Sequence, residues 1–158
     1  MPALRNGDIF PSITFESVAG GGLSLPGDLA GSYGVVLFYR GSWCPYCNAQ
    51  LAAFSRGRET LADLGVKVAA VSTDPLAAAT ELVDKHRLTF PVGYGADAEK
   101  LAAATGASFN DDPRFLQSTG FVLDPDGRVI TAVYSTGAIG RLMPDDVAGF
   151  VRYVKSTK

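Results

Sequence analysis

Apolar runs alternate with stretches of helical periodicity along the first half of the chain. Residues 35–39 (Val-Val-Leu-Phe-Tyr) and 66–71 (Val-Lys-Val-Ala-Ala-Val) show little polar alternation, as expected for strands that are covered on both faces of a parallel sheet. Between them, residues 45–64 carry apolar side chains near helical spacing, which predicts one helix. A strand, a helix and a strand in this order predict a right-handed β-α-β unit.

The pattern then repeats with recognisable helix boundaries. Asp74 followed by Pro75 predicts a helix start, with Asp74 as the N-cap and Pro75 in the first helical position. Residues 91–94 predict a short strand. Asp97 then caps a short helix that Gly106 ends, because glycine tolerates the left-handed conformation after a last helical turn.

The last third of the chain predicts an antiparallel hairpin and a final helix. Residues 121–123 and 128–134, which are mostly apolar, flank a type I turn sequence, and a strongly amphipathic helix opens at Pro144. The fold class is therefore α/β, with a central mixed sheet and helices on both faces in three layers. Residues 1–158 are predicted to form one domain.

Composition narrows the classes of function. The 158 residues have a net charge of −2 and are 47% hydrophobic, which favours a folded core over disorder. Lysines and arginines do not cluster along the chain, and the longest apolar run is residues 35–39, so no nucleic-acid partner and no membrane partner are expected. Residues 1–14 lack the apolar region and cleavage site of a signal peptide, which predicts a cytoplasmic protein.

Two cysteines, Cys44 and Cys47, carry the candidate chemistry. They open the first predicted helix directly after a buried strand, where ligands gather in open α/β sheets. A helix N-terminus favours the thiolate, so we expect a lowered pKa at Cys44, at the mouth of the site, with Cys47 directed into the core. The spacing allows a redox-active Cys44–Cys47 disulfide. No metal and no cofactor are predicted, because the other soft donor, His86, stands alone and is expected to be a packed structural side chain.

Several segments together resemble the peroxiredoxin-like proteins of the alkyl hydroperoxide reductase/thiol-specific antioxidant family. They are Gly7-Asp8-x-x-Pro11 and residues 35–47, 71–75, 86–91 and 121–127. The resemblance implies a thioredoxin-like fold with an N-terminal β-hairpin extension, and an antioxidant oxidoreductase that is recycled by a thiol reductant. That reductant would be thioredoxin, glutaredoxin or a low-molecular-weight thiol, and the resemblance suggests a possible homodimer.

The active-site motif departs from that family. The sequence Cys44-Pro45-Tyr46-Cys47 resembles the glutaredoxin motif, and Trp43 before it resembles thioredoxins. The peroxiredoxin signature Pro-x-x-x-Thr-x-x-Cys places its proline on Arg40, its threonine on Cys44 and its peroxidatic cysteine on Cys47. The family's active-site arginine falls on Ser118, which removes a group that would stabilise the developing charge.

Further side chains are candidates for supporting roles. Arg40 would stabilise a thiolate, and Trp43 and Tyr46 would form an apolar rim beside Pro45. Ser118 and Thr119 would present hydroxyl or backbone groups to a substrate, provided that they lie in the loop facing the cysteines. Arg114, in the irregular stretch 107–119, is expected to be a surface arginine.

Three functions remain open at this point. In the first, a peroxidase, Cys47 attacks a hydroperoxide and Cys44 resolves the sulfenic acid as a disulfide. In the second, a thiol–disulfide oxidoreductase, Cys44 attacks a disulfide substrate and Cys47 resolves the mixed disulfide. The third is a non-enzymatic redox sensor that changes a partner surface.

Overall fold

A computed structural model describes residues 3–157 of the chain. The strands are β1 (Ile13–Ser17), β2 (Gly22–Leu25), β3 (Tyr33–Phe38), β4 (Val66–Val71), β5 (Val92–Tyr94), β6 (Phe109–Asn110), β7 (Phe115–Leu116), β8 (Thr119–Leu123) and β9 (Val129–Tyr134). The helices are α1 (Pro45–Arg56), α2 (Arg58–Asp63), α3 (Leu76–His86), α4 (Ala98–Thr105) and α5 (Pro144–Ser156).

A seven-stranded sheet in the order β2-β1-β5-β4-β3-β8-β9 forms the centre of the fold. Strands β3, β4 and β5 are parallel, whereas β1, β2, β8 and β9 pair with their neighbours in antiparallel fashion. The predicted mixed sheet, the N-terminal β1–β2 hairpin and the β8–β9 hairpin are therefore confirmed. The β-α-β unit places the loop after β3 at the carboxyl edge of the parallel strands, where the cysteines follow.

Alternate side chains of β3 enter two separate hydrophobic cores. Val35 and Leu37 pack on one face with residues of α1, α3 and α5, whereas Val36 and Phe38 pack on the other face with residues of α4 and the β6–β7 hairpin. Helices thus cover both faces of the sheet, as the three-layer prediction requires. The double coverage explains why residues 35–39 show no alternation of polar and apolar positions.

The predicted helix over residues 45–64 is wrong in one respect, because the structure divides it at Gly57. Glycine is a poor helix former, and Gly57 adopts φ −85° and ψ 8° as it ends α1. A Cβ at this position would lie 3.3 Å from Pro144 Cβ, so the break accommodates the start of α5.

The predicted cap at Asp74 is also wrong. Helix α3 begins at Leu76 with Pro75 as its N-cap, and no side chain caps it. The Asp74 carboxylate instead accepts a hydrogen bond from the Ser42 backbone N–H at 2.8 Å, in the loop that carries the cysteines. By contrast, the Asp97 cap and the Gly106 end of α4 are confirmed, since Asp97 accepts from the Lys100 N–H at 3.1 Å.

The stretch 107–119, read from the sequence as irregular, contains the β6–β7 hairpin. Over residues 3–157, no helix combines the length and the apolar character that crossing a bilayer requires.

Two glycine substitutions are expected to change stability in opposite directions. Gly106 ends α4 with φ 83°, so Gly106→Ala should lower the free energy of unfolding by about 1 kcal/mol. Gly149 lies within α5 with open space where a Cβ would stand, so Gly149→Ala should raise it by about 0.5–1 kcal/mol. Urea unfolding of both variants tests the two signs, and a stabilised Gly106→Ala protein would contradict the left-handed end of α4.

Candidate active site

The loop after β3 delivers both cysteines to the first turn of α1. Cys44 is the N-cap of this helix and Pro45 occupies its first turn, where a missing N–H costs nothing. The Cys44 Sγ accepts a hydrogen bond from the Cys47 backbone N–H at 3.3 Å. The loop is fixed from outside by Asp74, and by the Asn48 side-chain amide, which donates to the Ser42 carbonyl at 3.0 Å.

Two arginines converge on the two sulfur atoms. The Arg141 Nη2 lies 3.1 Å from Cys47 Sγ and 3.6 Å from Cys44 Sγ. The Arg40 Nη1 lies 3.7 Å from Cys44 Sγ, and the Arg40 backbone N–H donates to Cys47 Sγ at 3.3 Å. Each sulfur therefore faces a guanidinium and a backbone N–H, which are donors that favour a thiolate.

Arg141 is oriented by a buried glutamine. Its Nη1 donates to Gln50 Oε1 at 2.7 Å, and its Nε donates to the Ala138 carbonyl at 2.6 Å. The Gln50 amide in turn donates to the Leu142 carbonyl at 2.8 Å. The segment before α5 is thus held against α1. Because Nε and Nη1 of Arg141 donate to these oxygens, its Nη2 points towards the sulfurs.

Arg40 is held by an aromatic pair and a second glutamine. Its guanidinium carbon lies 5.1 Å from the ring centroids of both Trp43 and Phe115, and its Nε donates to Gln117 Oε1 at 3.0 Å. The two rings meet edge to face, with centroids 4.9 Å apart. Cation–π contacts with both rings help to hold the guanidinium beside Cys44.

The two thiols have opposite pKa shifts. Burial alone would raise the pKa of Cys44, but hydrogen bonds from Cys47 and Arg40 and the charge of Arg141 outweigh burial and lower it. Burial raises the pKa of Cys47, and the hydrogen bond between Cys47 and Cys44 raises it further. Ionisation of the reduced pair is therefore favoured at Cys44, with the Cys47 thiol as a donor to it.

Cys44 does not lie at an open mouth, and that expectation is wrong. Both cysteines are fully buried, with 0% of each exposed. The sulfurs are buried because Arg40 and Arg141 occupy the space next to them. In addition, the Trp43 indole lies over Gly41, where an added Cβ would be 2.2 Å from Trp43 Nε1. Trp43 and Tyr46 are each 55% exposed, and their role as an apolar rim for a substrate stays a prediction.

Ser118 and Thr119 lie close to the site but do not reach it with their hydroxyls. The Thr119 hydroxyl donates to the Gln117 carbonyl at 3.1 Å, and the Ser118 carbonyl accepts from the Ser135 N–H at 3.0 Å. No hydrogen bond joins either hydroxyl to a sulfur within residues 3–157. The neighbouring Gln117 enters the site instead, through Arg40.

Two other sequence candidates lie outside the sulfur cluster. Arg114 is exposed and forms ion pairs with Glu99 and Asp111, each at 2.5 Å, as expected for a surface arginine. His86 is half-buried at the end of α3, and no hydrogen bond links its ring to a sulfur in the described part of the chain.

Sequence reasoning missed Arg141, Gln50 and Gln117. Arg141 is separated from Cys47 by 94 positions, so no local motif connects the two residues. One signal was available, since Arg141 is the one charged residue in segment 135–143. The glutamines carry no comparable signal, because a single amide in a helix or before a strand is common.

The fold is thioredoxin-like, with two neighbouring cysteines at the start of α1, and comparison with known proteins gives the family. The sequence model of the AhpC/TSA family matches residues 6–132. A peroxiredoxin of Chlorobaculum tepidum is 30% identical over 153 residues, which cover 92% of this chain and 69% of the relative.

Solved structures share the fold at lower identity. Peroxiredoxin 6 of Arenicola marina superposes with a TM-score of 0.85 at 18% identity, covering 98% of this chain and 75% of that one. Mycobacterium tuberculosis AhpC superposes with a TM-score of 0.83 at 22% identity, covering 99% and 96%. The chain belongs to the AhpC/TSA family, whose peroxiredoxins and alkyl hydroperoxide reductases are thiol-dependent peroxidases.

Removing the Arg141 charge is expected to raise the pKa of Cys44. Arg141→Met should move the thiolate titration of Cys44 to higher pH, because an opposite charge beside an ionised group stabilises its charged form. At a pH between the two midpoints, thiolate content and alkylation rate should both fall. Ultraviolet thiolate absorbance against pH measures the midpoint.

The matched control is Arg152→Met, an exposed arginine on α5. An equal shift in both variants would mean that overall charge, and not the contact with the sulfurs, sets the pKa.

Proposed function

We propose that this chain reduces hydroperoxides through a Cys44–Cys47 dithiol–disulfide cycle. The observation that carries the proposal is the convergence of two guanidiniums, Arg40 and Arg141, on a fully buried cysteine pair. They supply hydrogen-bond donors in place of the threonine and arginine of the family signature, whose positions are held here by Cys44 and Ser118. Membership in the AhpC/TSA family supports the substrate class.

The cycle balances with one hydroperoxide consumed for each disulfide formed. A thiolate attacks the outer peroxide oxygen, the O–O bond breaks, and the leaving alkoxide takes a proton to become an alcohol. The attacking cysteine is then a sulfenic acid. The second thiol attacks that sulfur and releases water, which leaves the Cys44–Cys47 disulfide. The arginine donors near both sulfurs face the oxygen on which negative charge develops.

Electrostatics favours Cys44 as the first nucleophile. The thiolate is the reacting species, and the pKa of Cys44 is lowered whereas that of Cys47 is raised. Cys47 would then resolve the sulfenic acid. This order reverses the one that the peroxiredoxin signature implies, in which the cysteine at position 47 attacks.

Single serine variants separate the two orders. In a stopped-flow reaction of the reduced protein with hydrogen peroxide, Cys44→Ser should abolish the rapid fluorescence change of Trp43, which adjoins the pair. Cys47→Ser should keep one turnover and accumulate a sulfenic acid that dimedone traps on Cys44.

The opposite pattern, with Cys47 trapped in Cys44→Ser, would assign the attack to Cys47. Peroxide consumption at the wild-type rate in both variants would reject the dithiol cycle itself.

An external thiol completes the cycle. Thioredoxin, glutaredoxin and a low-molecular-weight thiol are the candidates, and full burial of both sulfurs favours a small reductant. A cytoplasmic location and assembly as a homodimer stay predictions.

Thiol–disulfide exchange is the second candidate function, favoured by the split pKa values within a C-x-x-C motif. Cys47→Ser incubated with a small aromatic disulfide should accumulate a mixed disulfide on Cys44, which mass spectrometry of the intact protein detects. A bulky protein disulfide should react far more slowly, because the sulfurs lie beneath Arg40 and Trp43. Equal trapping on Cys44→Ser would contradict this assignment.

A further inference from the structure

A cluster of five basic side chains lines one cavity away from the cysteines. The cavity has a volume of about 470 Å³ and lies where the carboxyl ends of α1 and α3 meet. Its basic residues are Arg56, Arg58, Lys85, His86 and Arg87. Its described lining contains no carboxylate, and within residues 3–157 none of the five forms an ion pair with one.

Helix electrostatics accounts for only part of this cluster. Arg56, Lys85 and His86 lie in the last turns of α1 and α3, where the negative end of a helix dipole favours a cation. Arg58 has the opposite placement, because it opens α2, where a positive charge is unfavourable. Its guanidinium donates to the Ser55 carbonyl at 2.9 Å, beside the cavity.

Arg87 occupies a backbone position that favours glycine. It ends α3 in the left-handed conformation, with φ 50° and ψ 50°, and it is the only residue other than glycine with a positive φ in residues 3–157. The Ser55 hydroxyl donates to the Arg87 carbonyl at 2.9 Å and joins the two helix ends. A strained arginine in this place adds a third guanidinium to the cluster, which packing alone does not require.

An apolar cavity adjoins the basic one. It has a volume of about 240 Å³, and Arg58 and Thr89 line both cavities. Its walls include Leu23, Leu29, Phe54, Leu61, Val66 and Val68. Among its described lining residues the one carboxylate is Asp28, which already accepts from the Ser24 N–H at 2.8 Å.

The two cavities lie at the edge of the sheet opposite the cysteines. Val66 opens β4 and pairs with Tyr33 at the start of β3, whereas the cysteine loop follows the end of β3. A ligand here would not contact the reacting sulfurs, although Phe54 lines the apolar cavity from the helix that carries both cysteines.

We propose that this double cavity binds a small amphipathic anion, with its apolar body among the leucines and valines and its anionic head against the guanidiniums. Guanidinium groups recognise carboxylates and phosphates through paired hydrogen bonds, and apolar walls supply the burial that a hydrocarbon body requires. The site is separate from the proposed peroxidase chemistry. A medium-chain fatty carboxylate and an alkyl phosphate share the required chemistry.

Calorimetric titration tests the proposal on the reduced full-length protein. Decanoate and decyl phosphate should bind with micromolar Kd, and the tighter of the two identifies the preferred head group. Acetate, which lacks the apolar body, and decanol, which lacks the charge, should each bind at least about tenfold more weakly. The double variant Arg58→Gln/Arg87→Gln should weaken decanoate by about tenfold or more, whereas Arg152→Gln on α5 should not.

Several outcomes would overturn the proposal. The first is that neither decanoate nor decyl phosphate binds up to millimolar concentration. The second is that decanol binds as tightly as decanoate. The third is that the double variant and Arg152→Gln lose decanoate affinity to the same extent. Peroxide consumption by the same samples is a separate readout, so loss of ligand binding and loss of the proposed peroxidase function are distinguishable. Circular dichroism verifies that both variants fold.

Discussion

Stabilisation of one negative charge in a buried place is the constraint on which the site depends. A thiol that is removed from water resists ionisation, because a low-dielectric environment penalises the charged form. Cys44 is fully buried, yet its pKa is lowered, since the Cys47 groups, Arg40 and Arg141 together outweigh burial. Without these donors the pair would be two small apolar core residues, which is a common fate of free cysteines in a protein interior.

The fold supplies these donors from parts of the chain that are far apart. Arg40 comes directly from the end of β3, and its direction is set by Gln117, which precedes the neighbouring strand β8. Arg141 comes from the segment before α5, and its direction is set by Gln50 in α1. Each arginine is thus oriented by a glutamine from a distant segment of the chain, so the electrostatics of the sulfurs depends on the pairing of β3 with β8 and on the packing of α1 against the segment before α5.

Local patterns predicted the parts of the structure that local chemistry determines. The β-α-β unit follows from a buried strand, a periodic stretch and a second strand, and the position of the cysteines follows from that unit. The local pattern does not predict the helix break at Gly57, because the break depends on the close approach of Pro144, which is far away in the sequence. Asp74 is a related case, because its sequence context predicts a helix cap. In the folded chain the Ser42 N–H comes close to Asp74 and donates to its carboxylate instead.

The contact between Arg40 and Gln117 also has an evolutionary consequence. Arg40 stands where the peroxiredoxin signature has proline, which has no charged side chain to donate to a glutamine before the neighbouring strand β8. Gln117 is buried, and its amide oxygen accepts a hydrogen bond from the Arg40 guanidinium. In an alignment of the family these two positions are expected to change together, so that the glutamine marks the branch whose members carry arginine after β3.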